Sequence, residues 1–159
     1  MNKRTLAAKV IARLREELAL YHKAALAARS EATDEQSKAE NKYDTRGLEA
    51  SYLARGQSRQ AAEIERTLAL FESLTPRAFS PADPIDLGAL VELEGQGERN
   101  CYFVGPGAGG LELQHEKKEI LVITPQSPLG QQLMGRRQAE KLRLELGGGK
   151  HDYRVVSVL

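Results

Sequence analysis

Glycine and proline divide this chain into two unlike halves. Residues 1–75 contain no proline and two glycines, Gly47 and Gly56, whereas residues 76–159 hold all six prolines and the other twelve glycines. Both residues interrupt helices, glycine through backbone freedom and proline through its missing N–H and its ring. The first half therefore reads as long helix, and the second as short elements joined by turns. The boundary lies in the stretch Thr75–Pro84, where three prolines fall within ten residues.

The helical half carries apolar residues at spacings of three and four. Leu6, Val10, Leu14, Leu18, Tyr21, Ala25 and Ala28 form one stripe, and Ile64, Leu68, Phe71 and Leu74 form another. Two helices with such stripes bury them against each other as an antiparallel hairpin. The turn is expected near residues 30–40, where Thr33 with Gln36, and Ser37 with Glu40, have capping-box spacing. A second helix over about 38–74 would be roughly 55 Å long. That is more than a compact fold of this size can cover, so part of the hairpin is expected to project. The weak stripe between Tyr52 and Ile64, with Arg55, Gly56, Gln57, Ser58 and Arg59, agrees with this.

The second half alternates apolar and polar residues. Segments 89–94, 101–105, 111–114, 119–124, 141–146 and 153–158 read as strands separated by glycine turns. Ser127–Gly135 differs: Ser127 suits a cap, Pro128 the first helical position, and Gly135 the stop. The expectation is an α+β chain, with a small antiparallel sheet and one short helix after the hairpin.

Composition removes several classes. The single cysteine, Cys101, excludes an internal disulfide and a cysteine-cluster zinc site. It reads as a small buried hydrophobe. His22, His115 and His151 have no ligand spacing, and neither His22 nor His115 forms a base–nucleophile arrangement with Ser51 or Ser127. Aromatics are 5% with no Trp, too few for a stacking platform for single strands. Charges interrupt the N-terminal apolar residues every few positions, so the start is neither a signal peptide nor a membrane span, and a cytoplasmic protein is expected.

One resemblance covers nearly the whole chain. Ser127-Pro128-Leu129-Gly130, then Leu133-Met134-Gly135, a strand, the turn Gly147-Gly148-Gly149 and the final strand Tyr153–Val158 resemble the C-terminal domain of the bacterial Gre transcript-cleavage factors. That domain has an FKBP-like fold, expected here over 85–159. The helical hairpin, 1–75, matches in length and position, with 76–84 as a proline-rich linker. The stretch Glu40–Ala50 is similar to Gre-like branches more than to the Gre factors proper.

The resemblance implies a regulator that docks on RNA polymerase at the rim of the secondary channel and sends its hairpin toward the active centre. Docking would fall to Ser127, Pro128, Leu129, Gly130, Met134 and Arg136. In the cleavage factors, acidic tip residues help hold the polymerase's second Mg²⁺ and orient the attacking water, and hard Mg²⁺ needs only one or two carboxylates from such a partner. Here Asp34, Glu35 and Glu40 are the candidates, with Asp34 and Glu35 as shared Mg²⁺ ligands. The chain would have no cofactor of its own and no activity alone. Its tip would lie near the 3′ end of nascent RNA, with no membrane partner, as a monomer; nothing in the residues decides for or against DNA. The family pattern places an Asp three residues before its Glu-Asn pair, whereas Ser37 stands there, before Glu40-Asn41. Cleavage stimulation and channel binding without cleavage therefore both remain open.

Plainer readings stand beside these. Acids near a helix start serve caps and the helix dipole. Arg55, Arg59 and Arg66 form either a basic stripe toward RNA or polymerase, or a solvated face paired with Glu63. The segment Val104–Gly110 lacks the Lys-Ser/Thr and helix of a phosphate loop and is expected to be a hairpin turn. Leu133 is expected inside. A peptidyl-prolyl isomerase would need an aromatic-lined pocket, and Phe79, Tyr102, Phe103 and Tyr153 are few for one. A coiled-coil adaptor would self-associate, which the monomeric reading does not require.

Overall fold

A computed structural model of the chain describes residues 1–33 and 46–159. The order of elements is α1 (Lys3–Thr33), α2 (Arg46–Ser73), β1 (Leu90–Gly95), β2 (Glu98–Val104), β3 (Glu112–His115), β4 (Lys118–Ile123), α3 (Pro128–Leu133), β5 (Lys141–Leu146) and β6 (Gly149–Val158). Two compact units emerge. One comprises Ile11–Ala69, and the other Met1–Val10 with Leu70–Leu159.

The smaller unit is the helical pair. His22 Nε2 of α1 lies 3.4 Å from Glu65 Oε1 of α2. Ala25 and Arg29, further along α1, share a cleft with Ala61 and Ser58, further back along α2. As numbers rise on one helix they fall on the other, so the helices are antiparallel. The facing positions are small: Ala25, Ala28, Ala50, Ala54 and Ala61 are all buried. Alanine combines high helix propensity with little apolar area, so this contact is regular but thin. α1 continues through Thr33, beyond the start of the stretch expected to turn.

The larger unit contains a six-stranded sheet in the order β3-β4-β2-β1-β6-β5. Four neighbouring pairs are antiparallel, but β2 and β4 run parallel, with Cys101 opposite Ile120 and Val104 opposite Ile123. The sheet is dominated by antiparallel pairs, as expected, with this one parallel pair added. One expectation is corrected: Val104–Gly110 is no hairpin turn. It begins a crossover that carries the chain past β4 to β3. Three two-residue hairpins close three of the antiparallel pairs, β1–β2, β3–β4 and β5–β6. Their central residues, Gln96-Gly97, Glu116-Lys117 and Gly147-Gly148, all have positive φ, matching the right-handed strand twist. Because Gly147 and Gly148 make the whole turn, pairing resumes at Gly149, and β6 starts four residues before the stretch expected.

Both faces of the sheet are used. One packs Val91, Leu93, Tyr102, Val104, Leu142, Leu144, Tyr153 and Val155 against Leu129 and Leu133 of the α3 turn and against Phe79 and Ile85. The segment 76–84 is thus built into the core edge through Phe79 instead of spanning between units. The other face offers Leu90, Phe103, Ile120 and Val122, all buried. The helix ends belonging to this unit lie over it: a Cβ on Gly105 would meet the Phe71 ring at 2.8 Å and Val122 at 3.2 Å. Further along this face the residues turn charged. Lys118 pairs with Glu92 (3.2 Å), Arg99 with Glu94 (3.2 Å), and Arg154 with Glu94 (2.8 Å).

The start of α1 is clasped to the sheet unit. Asn2 caps the helix, its Oδ1 accepting from the N–H groups of Arg4 and Thr5 (3.0 and 3.2 Å). Its own N–H donates to Glu116 Oε1 (3.1 Å), and Lys9 Nζ donates to the Gln114 carbonyl (2.9 Å). His115, 2% exposed, has Nε2 3.1 Å from the Asn2 carbonyl, so that nitrogen carries the donating proton.

Candidate docking site and family

The Ser127–Arg136 segment folds as its residue types require. Ser127 is extended (φ −64°, ψ 155°), with Pro128 following as the first helical residue. Its hydroxyl accepts from the Gly130 N–H (3.1 Å) and donates to the Thr124 carbonyl (2.7 Å). Both capacities of the hydroxyl are used, which locks α3 onto the end of β4. Gly130 is a glycine for a direct reason: a Cβ there would sit 1.8 Å from the Thr124 oxygen. After the helix, Gly135 turns at φ 83°. Its N–H donates to the Ile85 carbonyl (3.0 Å), and the Ile85 N–H donates to Arg136 O (2.7 Å).

The six residues expected to meet a partner divide by this geometry. Ser127, Leu129 and Gly130 build the turn; Leu129 and Gly130 are buried. Met134 is half-buried against the core, and Leu133 is fully buried as expected. Pro128 and Arg136 face outward, with Arg136 3.9 Å from Glu140. Gln132, beside these six, has a structural role. Its amide donates to Glu145 O (3.3 Å) and accepts from Glu145 N–H (2.9 Å), covering the free edge of β5. A glutamine on a six-residue helix carries no signal of that role.

Beside Pro128 lies an open cleft of about 380 Å³, lined by Tyr102, Leu121, Ile123, Leu129 and Leu146, with Gly109 and Gly110 at its rim. Burial raises the Tyr102 hydroxyl above its ordinary pKa, so it stays a neutral donor at physiological pH. Cys101 is buried and its thiol is likewise pushed up. An inert thiol fits the small-hydrophobe expectation.

On the hairpin, Asp34, Glu35 and Glu40 lie outside the described residues, as do Ser37 and Asp44. Among the described residues, no three His, Cys, Asp or Glu side chains come together to hold a metal ion. Of the arginines on α2, Arg66 pairs with Glu63 at 3.2 Å, and the Arg55 guanidinium lies 5.5 Å from the Tyr52 ring. No described helix is long and apolar enough to cross a membrane.

Residues 80–159, the whole sheet and the α3 segment, match the C-terminal region of the transcription elongation factors GreA and GreB. This chain belongs to the GreA/GreB family. The matched stretch begins inside the proline-rich segment, just after the buried Phe79. Two relatives named transcription inhibitor protein Gfh1 are similar over 122 residues. That of Thermus aquaticus is 33% identical and covers 73% of this chain and 71% of its own length. That of one Thermus thermophilus strain is 32% identical, covering 73% and 72%. Among solved structures, Thermus aquaticus Gfh1 is 28% identical over 98% of this chain and 92% of its own, with a TM-score of 0.41. As a Gre-family chain, this protein is a transcription factor of α+β build.

Proposed function

We propose that this chain is a regulator of bacterial RNA polymerase that occupies the secondary channel and slows transcription. The observation carrying this reading is the reach of the likeness to transcription inhibitors. It takes in 73% of this chain, more than the 80 residues of the C-terminal match, and so extends into the helical half. In this reading the sheet unit docks through the α3 surface, with Pro128 and Arg136 as the outward contacts. The hairpin carries Asp34, Glu35 and Glu40 toward the polymerase's Mg²⁺, near the 3′ end of the RNA. Carboxylates there suit a hard cation that keeps most of its waters. The chain is an accessory factor without chemistry of its own, works as a monomer, and acts in the cytoplasm.

A second reading is stimulation of transcript cleavage. The acids Asp34, Glu35, Glu40 and Asp44, close together in sequence, favour it. Ser37, where the cleavage factors have an Asp, disfavours it.

Stalled elongation complexes of the cognate polymerase separate the two. The proposed reading expects no shortened RNA from this protein, and suppression of the shortening that a cleavage factor causes when both are present. The double variant Asp34→Ala, Glu35→Ala should still compete while inhibiting less. RNA shortening that needs both the protein and Mg²⁺ would establish the second reading instead. Absence of both shortening and competition would overturn the polymerase assignment.

A further inference from the structure

Strand β5 forms one edge of the sheet. Its pairing with β6 starts at Leu146 and Gly149, on either side of a two-residue turn. Residues flanking such a turn exchange both backbone hydrogen bonds, and bonded pairs then alternate along the ladder. Leu144 and Leu142 therefore bond β6, whereas Glu145, Arg143 and Lys141 turn their N–H and C=O groups outward. The Gln132 amide accepts from the Glu145 N–H (2.9 Å) and donates to the Glu145 carbonyl (3.3 Å). The outward N–H and C=O of Arg143 have no partner among the described residues. At the opposite edge, by contrast, Lys9 reaches the Gln114 carbonyl of β3 (2.9 Å).

The side chains along this opening are cations. Lys141 and Arg143 are exposed and close no ion pair among the described residues. Lys141 stands opposite Arg154 in register, where like charges repel, and Arg154 turns to Glu94 instead (2.8 Å). Arg143 stands opposite Asp152 without forming a salt bridge to it. The opening adjoins the surface proposed for docking, since Gln132 Nε2 also donates to the Pro128 carbonyl (3.1 Å). Native sheets guard free edges with cover or charge. Charges of one sign repel a cationic strand and admit an acidic one. A free donor beside a free acceptor suits an added strand, which uses both, whereas a nucleic-acid phosphate only accepts.

We propose that the edge of β5 at Lys141–Arg143 takes up a short, extended, acidic segment of the polymerase as an added strand. This rests on the docking of the sheet unit proposed above. The segment's backbone bonds the Arg143 N–H and C=O, and its alternate carboxylates lie beside Lys141 and Arg143. Gln132 ends the pairing at Glu145, which keeps the added strand short and holds it next to α3.

The test titrates the isotope-labelled full chain with a capped peptide of alternating glutamate and valine. The Arg143 amide resonance should move most, and its N–H should exchange at least about tenfold more slowly at saturation. Arg143→Ala, which keeps the backbone groups, should weaken binding about threefold. Methylating the peptide's amide nitrogens, which leaves the protein untouched, should abolish binding, and a peptide with lysine in place of glutamate should not bind. No shift at Arg143, binding that survives the methylation, or an equal shift with the lysine peptide or a short single-stranded RNA would overturn the acidic strand. With the cognate polymerase, hydrogen exchange over residues 141–146 should slow together with that of the α3 segment. Slowing at α3 alone would overturn the β5 partner and leave the polymerase reading standing. No binding to polymerase would overturn that reading and this occupant, and the peptide titration would still decide whether the edge accepts an acidic strand.

Discussion

The two units of this chain are held together by different means. The sheet unit buries Phe71, Phe103, Ile120, Leu133 and Leu144 almost completely, on both faces of its strands. The helical unit buries chiefly alanines, with large apolar residues such as Leu20, Leu26, Tyr52 and Leu53 left exposed. A fully buried Leu or Phe stabilises by about 1.5–3 kcal/mol, and an alanine by far less. Stability is therefore concentrated in the sheet unit, and the hairpin relies on helix propensity and local contacts. This agrees with the proposed function, in which docking falls to the sheet unit.

The largest expected effect sharpens that contrast. Phe103→Ala removes a fully buried ring and should cost about 3–5 kcal/mol. Ala61→Gly, at a buried hairpin position, should cost about 1 kcal/mol. Denaturant unfolding measures both; equal losses would mean that the hairpin contact is not the thinner one. Next comes Gly130→Ala. Its methyl would strike the Thr124 carbonyl, so α3 must shift, at about 1–3 kcal/mol. Ser127→Ala removes the cap and the hydrogen bond to the Thr124 carbonyl but introduces no clash, so it should cost about 1–2 kcal/mol and disturb the α3 amide resonances less.

The smallest effect concerns the charged part of the sheet face. Hydrogen bonds from Arg154 and then Arg99 hold the Glu94 carboxyl below its ordinary pKa. A carboxylate so lowered adds stability that is complete above its unfolded pKa and is lost as pH falls through the folded one. The melting temperatures of the wild type and Glu94→Gln should therefore differ at neutral pH and converge in acid, with the gap closing below about pH 4. A gap independent of pH would show that the carboxylate's charge contributes nothing.

Much of the fold was legible because its signals are local. Alternation marked all six strands, and the Ser-Pro-Leu-Gly run declared both the cap and the helix start. Strand neighbours were less legible, since alternation tells which face a residue takes but not which strand lies beside it. Hence the parallel pairing of β2 with β4, and the crossover at Val104–Gly110, went unseen. The clasp of Asn2 and Lys9 onto residues 114–116 was hidden for the same reason. Its partners are distant in sequence, and one is a backbone carbonyl, which no residue type announces. Phe79 stood among three prolines, whose turn signal masked a core residue. At the proposed docking site, residue types located the turn, but the structure was needed to separate Pro128 and Arg136, which face outward, from Ser127 and Gly130, which build it.

The most direct measurement is the rate of RNA chain extension by the cognate bacterial polymerase as this protein is added. The account predicts a saturable fall in nucleotide addition, relieved by a competing Gre-family cleavage factor. An extension rate that stays constant at concentrations where the protein binds polymerase, or no binding at all, would contradict it.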